Sequence, residues 1–282
     1  MGILARRPAP VQIDYLGWPG SVGGRVVDYV VADDYVVPPG RDRAYPERLI
    51  RLSPTYWVSG YQELGPVPSR EQLGLPSTGP ILGMFNVITK VGAEVWLTWM
   101  KILAAVPEAS LWLIDPGPVA RQRIGGFTAR LGVDPKRVFV APPLPLQSRH
   151  LTRLQCCDLM LDPWPYGGMT TTSDALWAGV PVIALEGDSY TSRVSGGLLR
   201  AAGLGAMVLP NRDAYVRTAV DLLRNPEKLA RVKRFIAEEV PSSPLFDTES
   251  RARQLEQAYR VAYDRVVCGL PPANINFTRK TP

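Results

Sequence analysis

Between residues 80 and 210, short apolar runs alternate with segments whose apolar residues recur at helical spacing. The apolar runs predict six strands, at 80–86, 110–114, 137–141, 158–162, 180–185 and 206–209. Between them, helical spacing predicts helices; the first carries Val95, Trp99, Ile102 and Val106 on one face. Regular alternation of strands and helices indicates an α/β fold, with a parallel sheet covered by helices on both faces.

The two ends of the chain differ from this central segment. Residues 1–75 contain three strand-like runs, at 11–16, 26–32 and 48–52, with a glycine-rich loop, expected to be mobile, after the first. Helical spacing after Pro210 predicts three helices, at about 212–224, 226–239 and 247–267, and residues 268–282 are expected to form a disordered tail. We therefore predict a complete Rossmann-like domain with C-terminal helices over 76–267, next to a partial N-terminal one over 1–75.

The most specific chemical signal follows the fourth predicted strand, where glycines at 167–168 precede three threonines at 170–172 and then Asp174. Glycines allow the backbone to approach an anion closely, and the N–H groups and dipole of a helix N-terminus favour negative charge. The hydroxyls of Thr170 and Thr171 either cap the helix or donate to phosphate oxygens. Asp174 shares their face and is placed to bind a ribose or sugar hydroxyl. The local sequence fits an N-capped helix and a phosphate site equally well.

The position of this loop in the sheet favours the phosphate site. In a doubly wound sheet of order 3-2-1-4-5-6, the first and fourth strands are neighbours at the topological switch point, where ligands bind. Lys90 follows the first strand and the glycine–threonine loop follows the fourth, so we expect them to face one crevice. A lysine, hydroxyls and helix-terminal N–H groups together suit a diphosphate. His150, the only histidine, is predicted at the edge of the same crevice.

Composition narrows the class of protein without naming a ligand. The 282 residues are 46% hydrophobic and 21% charged, which is typical of a soluble globular protein. The net charge of +6 comes without a long basic block, so we expect no nucleic-acid partner. The three cysteines form neither a disulfide framework nor a metal-ligand pattern, and we expect no metal. No apolar run approaches the ~20 residues of a membrane span, and the N-terminus does not resemble a signal peptide, which leads us to expect a cytoplasmic protein without a membrane partner.

Seven motifs stand in collinear order between about residues 5 and 265. They are RPAPVQ at 7–12, LGWPG at 16–20, DYVVAD at 28–33, the FN pair and lysine at 85–90, DALWAGVP at 174–181, SRV at 192–194 and SPLFD at 243–247. Together they resemble the O-GlcNAc transferase and SPINDLY family. The resemblance implies a GT-B fold, in which a nucleotide sugar lies between two Rossmann-like domains.

The same resemblance implies an activity: inverting transfer of a sugar to Ser or Thr hydroxyls of acceptor proteins, without a metal or other cofactor. The sugar is usually N-acetylglucosamine from UDP-GlcNAc. Plant SPINDLY proteins use GDP-fucose, which stays a second candidate donor for this chain.

The resemblance also assigns roles to single residues. Lys90 matches the family lysine that neutralises the diphosphate of the leaving group, and is the candidate catalytic residue. Thr170 and Thr171 match the threonines that hold the phosphates, Asp174 matches the ribose-binding aspartate, and His150 matches a histidine near the nucleotide base. The remaining donor-binding candidates are Asn86, Gly168 and Met169, of which the last stands where the animal enzymes have a histidine.

Family members carry a tetratricopeptide array and the first part of the N-terminal catalytic domain before the motif at 7–12, and neither is present in this sequence. We therefore expect a donor-binding domain with a remnant of its partner domain, and a separately encoded N-terminal half is a candidate partner. Whether the isolated chain is active stays open. One alternative is a non-catalytic nucleotide-sugar-binding module that uses the open sheet edge as a protein interface. Another is a GT-B enzyme such as an epimerase, against which the motifs at 7–20 and 243–247 argue.

Overall fold

The computed structural model describes residues 2–24, 26–60 and 63–277. Its N-terminal part forms a small parallel sheet, in which β1 (Ile13–Asp14), β2 (Tyr29–Ala32) and β3 (Arg48–Arg51) lie in that order. β1 and β2 are shorter than the predicted runs, and Gln12, directly before β1, bonds to the segment before β2. Its main-chain N–H donates to the Asp28 carboxylate at 2.8 Å, and its side-chain amide donates to the carbonyl oxygen of Val26 at 2.7 Å.

One buried carboxylate, that of Glu47, binds the second half of the glycine-rich loop after β1, which the sequence analysis expects to be mobile. Glu47 is 3% exposed. It accepts hydrogen bonds from the Ser21 hydroxyl and from the main-chain N–H groups of Val22 and Gly23, all between 2.9 and 3.0 Å. The positive φ of Gly23, +73°, suits glycine at the turn that these bonds close.

The central sheet contains six strands: β4 (Ile81–Met84), β5 (Ser110–Ile114), β6 (Val138–Ala141), β7 (Leu159–Leu161), β8 (Val182–Leu185) and β9 (Val208–Leu209). All neighbours are parallel, and the order is β6-β5-β4-β7-β8-β9. This is the predicted doubly wound order. β4 and β7 are adjacent, with Leu82 opposite Leu159, so the switch point lies between their carboxyl ends.

Eight helices are described: α1 (Ala93–Ala105), α2 (Pro118–Arg130), α3 (Gln147–Leu154), α4 (Thr170–Trp177), α5 (Tyr190–Ala201), α6 (Arg212–Arg224), α7 (Pro226–Glu239) and α8 (Thr248–Val267). α1 buries the predicted face, with Trp99 and Ile102 fully inaccessible. The bounds of α6 and α7 coincide with the predicted ones. None of the helices in the described part of the chain is both long and apolar enough to cross a bilayer.

Helix α8 returns from the central domain to the N-terminal sheet. Arg251 on this helix is 2% exposed, and its guanidinium donates to the carbonyl oxygens of Ser53 at 2.6 Å and Thr55 at 2.8 Å. The amide of Gln254 donates to Ser53 as well, at 2.9 Å. The segment after β3 is therefore fixed by a helix almost 200 residues further along the chain.

The chain after α8 is ordered where the sequence predicted a disordered tail. β10 (Ile275–Asn276) adds to the N-terminal sheet in parallel with β3, and the Asn274 side chain accepts from the Leu49 N–H at 3.0 Å. The prediction is therefore wrong for this stretch, because the free edge of β3 supplies main-chain partners that a polar tail sequence does not reveal. Residues 278–282 of the predicted tail lie outside the described residues.

Tyr35 is one of the polar bridges between the N-terminal sheet and the central domain. Its hydroxyl donates to Glu186 Oε1 at 3.0 Å, and its carbonyl oxygen accepts from Arg193 Nε at 2.6 Å. A Cβ at Gly196 would lie 2.6 Å from the Tyr35 hydroxyl, so a glycine on α5 permits this approach. The two sheets are thereby held with α5 between them.

Candidate functional site

Lys90 lies in a single 3-10 turn, Ile88–Lys90, after β4, and its ammonium group reaches the glycine–threonine loop. Nζ donates to the carbonyl oxygen of Gly167 at 2.9 Å and to Asn86 Oδ1 at 3.1 Å, and it lies 4.1 Å from the ring centroid of Tyr166. Burial lowers the pKa of Lys90, against the attraction of Asp162. The lysine and the loop therefore meet across the crevice between β4 and β7, as the switch-point argument predicted. The sequence analysis did not single out Tyr166.

Asn86 joins the end of β4 to the start of α4. It is 5% exposed, and its Oδ1 accepts from Lys90 Nζ and also from the Thr171 hydroxyl, at 3.0 Å. One amide oxygen thus brings the lysine and a threonine of the loop to the same point.

The first turn of α4 carries no side-chain cap in the described structure. The helix begins at Thr170, and Met169 occupies the N-cap position. Thr170 and Thr171 therefore lie inside the first turn rather than capping it, which disagrees with the N-capped-helix interpretation. A helix whose first N–H groups have no side-chain acceptor is suited to an anion. Met169 is half-buried and packs against the apolar core.

Gly168 is enclosed by polar side chains. Its N–H donates to Asp162 Oδ1 at 2.6 Å. A Cβ at this position would lie 2.5 Å from the Thr172 hydroxyl, 2.6 Å from the Thr171 hydroxyl and 2.8 Å from Asp162 Oδ1. The loop can hold this course only with glycine at 168.

Asp162, directly after β7, is the main site residue that the sequence analysis missed. It is 5% exposed, and burial raises its pKa to about 7, opposed by hydrogen bonds from the Gly168 N–H and Ser195 and by the charge of Lys90. The signal that could have found it is a carboxylate immediately after a buried strand at the switch point.

Asp174 lies one turn into α4 and is 7% exposed. Burial raises the pKa of its carboxyl to about 6. Because desolvation is the cause, hydrogen bonds donated by a ligand's hydroxyl groups would stabilise the ionised form.

His150 lies on α3 beside the end of β4, with its ring 5.5 Å from that of Phe85. Its Nδ1 faces two guanidinium donors of Arg153, Nε at 3.2 Å and Nη2 at 2.9 Å. Arginine only donates, so Nδ1 is the acceptor and the proton lies on Nε2. Burial, and then the charge of Arg153, lower the pKa of His150 to about 4, and the imidazole is neutral at pH 7. Arg153 was not identified from the sequence.

Together these residues offer an anion three kinds of partner: a cation, hydroxyl groups and the uncapped N–H groups of a helix. Asp174 and the neutral imidazole of His150 lie nearby and can bind the uncharged polar groups of the same ligand. Within the described ranges, no group of three or more His, Cys, Asp or Glu side chains is arranged to hold a metal ion. The arrangement is suited to a ligand that combines phosphate charge with hydroxyl groups.

The sequence is similar to one family over almost its whole length. The model of glycosyl transferase family 41 matches residues 1–66 and 62–255. A protein of Arabidopsis thaliana, described as a probable UDP-N-acetylglucosamine–peptide N-acetylglucosaminyltransferase SEC, is 35% identical over 91% of this chain. A SPINDLY protein of Petunia hybrida with the same activity in its name is 32% identical over 97% of this chain. The chain spans only 27% and 30% of the lengths of these two relatives.

Solved structures agree with the sequence comparison. A mutant of the O-GlcNAc transferase from Thermobaculum terrenum has a TM-score of 0.82 and 36% identity, covering 92% of this chain and 49% of that one. A sucrose-phosphate synthase from Thermosynechococcus elongatus has a TM-score of 0.59 at 20% identity, covering 84% of this chain and 59% of that one, and shares the fold alone. The predicted GT-B fold and the resemblance to the O-GlcNAc transferase and SPINDLY family are thus confirmed. The chain belongs to glycosyl transferase family 41.

Proposed function

We propose that this chain binds a nucleotide sugar in the crevice between β4 and β7, for transfer of the sugar to Ser or Thr hydroxyls of proteins with inversion. UDP-GlcNAc is the first candidate donor, because the names of the relatives specify it. The observation that carries the proposal is the convergence of Lys90 and Thr171 on Asn86 Oδ1, above the uncapped start of α4.

The diphosphate lies over the N-terminus of α4 in this proposal. Lys90 Nζ exchanges the Gly167 carbonyl for phosphate oxygens, and the hydroxyls of Thr170 and Thr171 donate to the same group. When the bond to the anomeric carbon breaks, negative charge grows on the diphosphate. A well-placed donor to such charge stabilises the transition state by about 3–4 kcal/mol. Lys90 is therefore the proposed catalytic residue, and no metal is required.

The nucleoside lies toward α3. Asp174 accepts hydrogen bonds from the ribose hydroxyls, and His150 donates from Nε2 to a carbonyl oxygen of the base. Uracil and guanine both have such an oxygen, so this contact does not choose between UDP-GlcNAc and GDP-fucose. Gly168 and Met169 line the phosphate side of the site.

We propose that transfer to the acceptor protein also needs an N-terminal half of the catalytic region, outside these 282 residues. What supports this is coverage: the chain aligns with 49% of the Thermobaculum terrenum enzyme. The Ser or Thr of the acceptor would enter from the side of the N-terminal sheet, across the crevice from α4.

Calorimetry tests donor binding. UDP, UDP-GlcNAc and GDP-fucose are titrated into the wild-type chain, Lys90→Ala and the control Lys101→Ala, which removes an exposed lysine of α1. Charged hydrogen bonds contribute about 1.5–3 kcal/mol, so Lys90→Ala should bind about 10- to 150-fold more weakly and Lys101→Ala as wild type. Absence of nucleotide binding, or equal affinity for Lys90→Ala, contradicts the proposed site.

Transfer of radiolabelled sugar to proteins of a lysate tests the activity. We expect binding without turnover by the isolated chain, and turnover when the N-terminal half is added. Turnover by the chain alone contradicts the need for a partner. Binding with no turnover in either case favours a non-catalytic nucleotide-sugar-binding module.

A further inference from the structure

The proposed anion site has a carboxylate directly beneath it. Asp162 Oδ1 is 2.6 Å from the nitrogen of Gly168, and the preceding carbonyl, that of Gly167, holds the Lys90 ammonium at 2.9 Å. A diphosphate bound to Lys90 and the start of α4 would therefore lie within a few ångströms of a second negative charge. Because the carboxylate is 5% exposed, water does not screen the repulsion between them.

The groups around Asp162 supply one cation and otherwise neutral partners. From the loop, the Gly168 N–H donates to the carboxylate, and from α5 the Ser195 hydroxyl is hydrogen-bonded to it. From α6, the Tyr215 hydroxyl donates to the main-chain oxygen of Asp162 at 3.1 Å, and burial raises its pKa well above 10, so it is neutral. Lys90, from the turn after β4, is the cation whose charge acts on Asp162.

We propose that Asp162 takes up a proton from solvent when a nucleoside diphosphate sugar binds, so that the ligand's charge replaces the carboxylate's charge beside Lys90. The inference rests on the proposed function, because it requires the diphosphate in this crevice. Asp162 acts here as a positioning residue rather than a catalytic one. A neutral carboxyl keeps one oxygen as the acceptor for the Gly168 N–H and gains an O–H to donate to the Ser195 hydroxyl, so the loop keeps its course.

In the chain without ligand, the carboxyl of Asp162 is able to take up a proton at neutral pH. The pKa of Asp162 is already raised to about 7, and an added negative charge raises it further. If binding raises it by about one unit, Asp162 alone lowers the affinity for the donor about fivefold between pH 6 and pH 8. The pKa of Asp174 is expected to shift the other way, because ribose hydroxyls favour its ionised form, and this raises the affinity over the same range. The effect of Asp162 is therefore the difference between wild type and a variant that lacks its carboxylate.

The test is calorimetry of UDP-GlcNAc binding to the full chain at pH 6, 7, 8 and 9, in buffers of different ionisation enthalpy. UDP-GlcNAc is chosen because its diphosphate lacks the terminal phosphate group that titrates near pH 6. The variant is Asp162→Asn, whose amide mimics the neutral carboxyl. The matched control is Asp115→Asn, which removes a carboxylate after β5 that binds Arg121 and the Gly117 N–H rather than a residue of the site.

For wild type we expect uptake of a fraction of one proton near pH 7, and an affinity that, relative to Asp162→Asn, is about fivefold lower at pH 8 than at pH 6. For Asp162→Asn we expect uptake near pH 7 to vanish, and binding at pH 8 about fivefold tighter than wild type. Asp115→Asn should behave as wild type. A wild type that binds without proton uptake, or an Asp162→Asn variant that binds more weakly than wild type at pH 8, overturns the inference.

Two further outcomes separate the inference from the function. Failure of wild type to bind UDP-GlcNAc at any pH overturns the proposed donor, and the inference falls with it. If circular dichroism shows that Asp162→Asn is unfolded, wild type alone decides. Uptake that is largest between pH 7 and 8 supports Asp162, whereas uptake that only grows above pH 8 assigns the proton to Lys90 and overturns the inference.

Discussion

Replacement of Gly168 by alanine tests how closely the loop is fitted to its neighbours. The new methyl carbon would lie 2.5 Å, 2.6 Å and 2.8 Å from three side-chain oxygens, all below 3.0 Å, a separation that real Cβ atoms essentially never show. These oxygens belong to Thr172, Thr171 and Asp162. Asp162 and Thr172 are buried and hydrogen-bonded, so the methyl group cannot be accommodated by rotating one flexible side chain. The start of α4 must shift instead.

Such overpacking typically costs about 1–3 kcal/mol of unfolding free energy. In a chain of this size each kcal/mol lowers Tm by roughly 2–4 °C. The shift should also weaken UDP binding, because it displaces the α4 N–H groups from the phosphate. A displacement of ~1 Å can reduce the effect of a positioned group by about 100-fold. Thermal denaturation followed by circular dichroism measures the first effect, and calorimetry with UDP the second.

The matched control is Gly126→Ala on α2, where nothing lies within 4 Å of the added methyl group. Alanine within a helix is stabilising relative to glycine by up to about 1 kcal/mol, so this variant should bind UDP as wild type and unfold no earlier. If Gly168→Ala keeps both the wild-type Tm and the wild-type affinity, or if Gly126→Ala loses UDP equally, the proposed role of the loop is refuted.

Two further predictions concern the N-terminal sheet. Arg251→Ala removes the donor to the carbonyl oxygens of Ser53 and Thr55, so it should lower the free energy of unfolding, measured in urea, by about 2–4 kcal/mol. The control Arg253→Ala removes an exposed arginine and should change that free energy by less than about 0.5 kcal/mol. Equal effects of the two substitutions would contradict the anchoring role of Arg251. The second prediction concerns Asp14, whose pKa is raised from 3.8 to about 6 by burial and then by the charge of Glu47. Between pH 4 and 6 the folded chain therefore binds more protons than the unfolded chain. The free energy of unfolding falls as the pH rises through that window. Asp14→Asn should therefore raise Tm at pH 7.5 but leave it unchanged at pH 4, and an equal rise at both values would exclude ionisation of Asp14 as the cause.

Periodicity sufficed for the central domain because its strands are continuous buried apolar runs that alternate regularly with helices. The order of six strands followed from regular alternation, and α6 and α7 have the predicted bounds. The meeting of Lys90 with the loop after β7 followed from that order without any side-chain information. The sequence did not decide between a capped and an uncapped α4, because threonine suits both; the course of the chain through Met169 decided it.

The residues that escaped prediction depend on contacts between distant parts of the chain. β10 has two residues and no periodicity of its own, and it exists because β3, more than 220 residues earlier, offers a free edge. Asp162 meets Lys90 and Ser195, which lie on other elements, so only the folded structure brings these groups together. Arg153 lies on the same helix as His150, but helical spacing alone does not show that its guanidinium faces Nδ1 of the imidazole. For β10 the sequence carries no such signal, whereas for Asp162 the signal is its place directly after a buried strand at the switch point.

The return of α8 and β10 to the N-terminal sheet has a consequence for synthesis on the ribosome. β1, β2 and β3 leave the ribosome before Arg251 and Asn274, which bind the residues at and after β3. All six strands of the central sheet also precede these two residues. We therefore expect the central sheet to form before the N-terminal sheet is complete, with one edge of β3 unpaired until α8 and β10 have emerged.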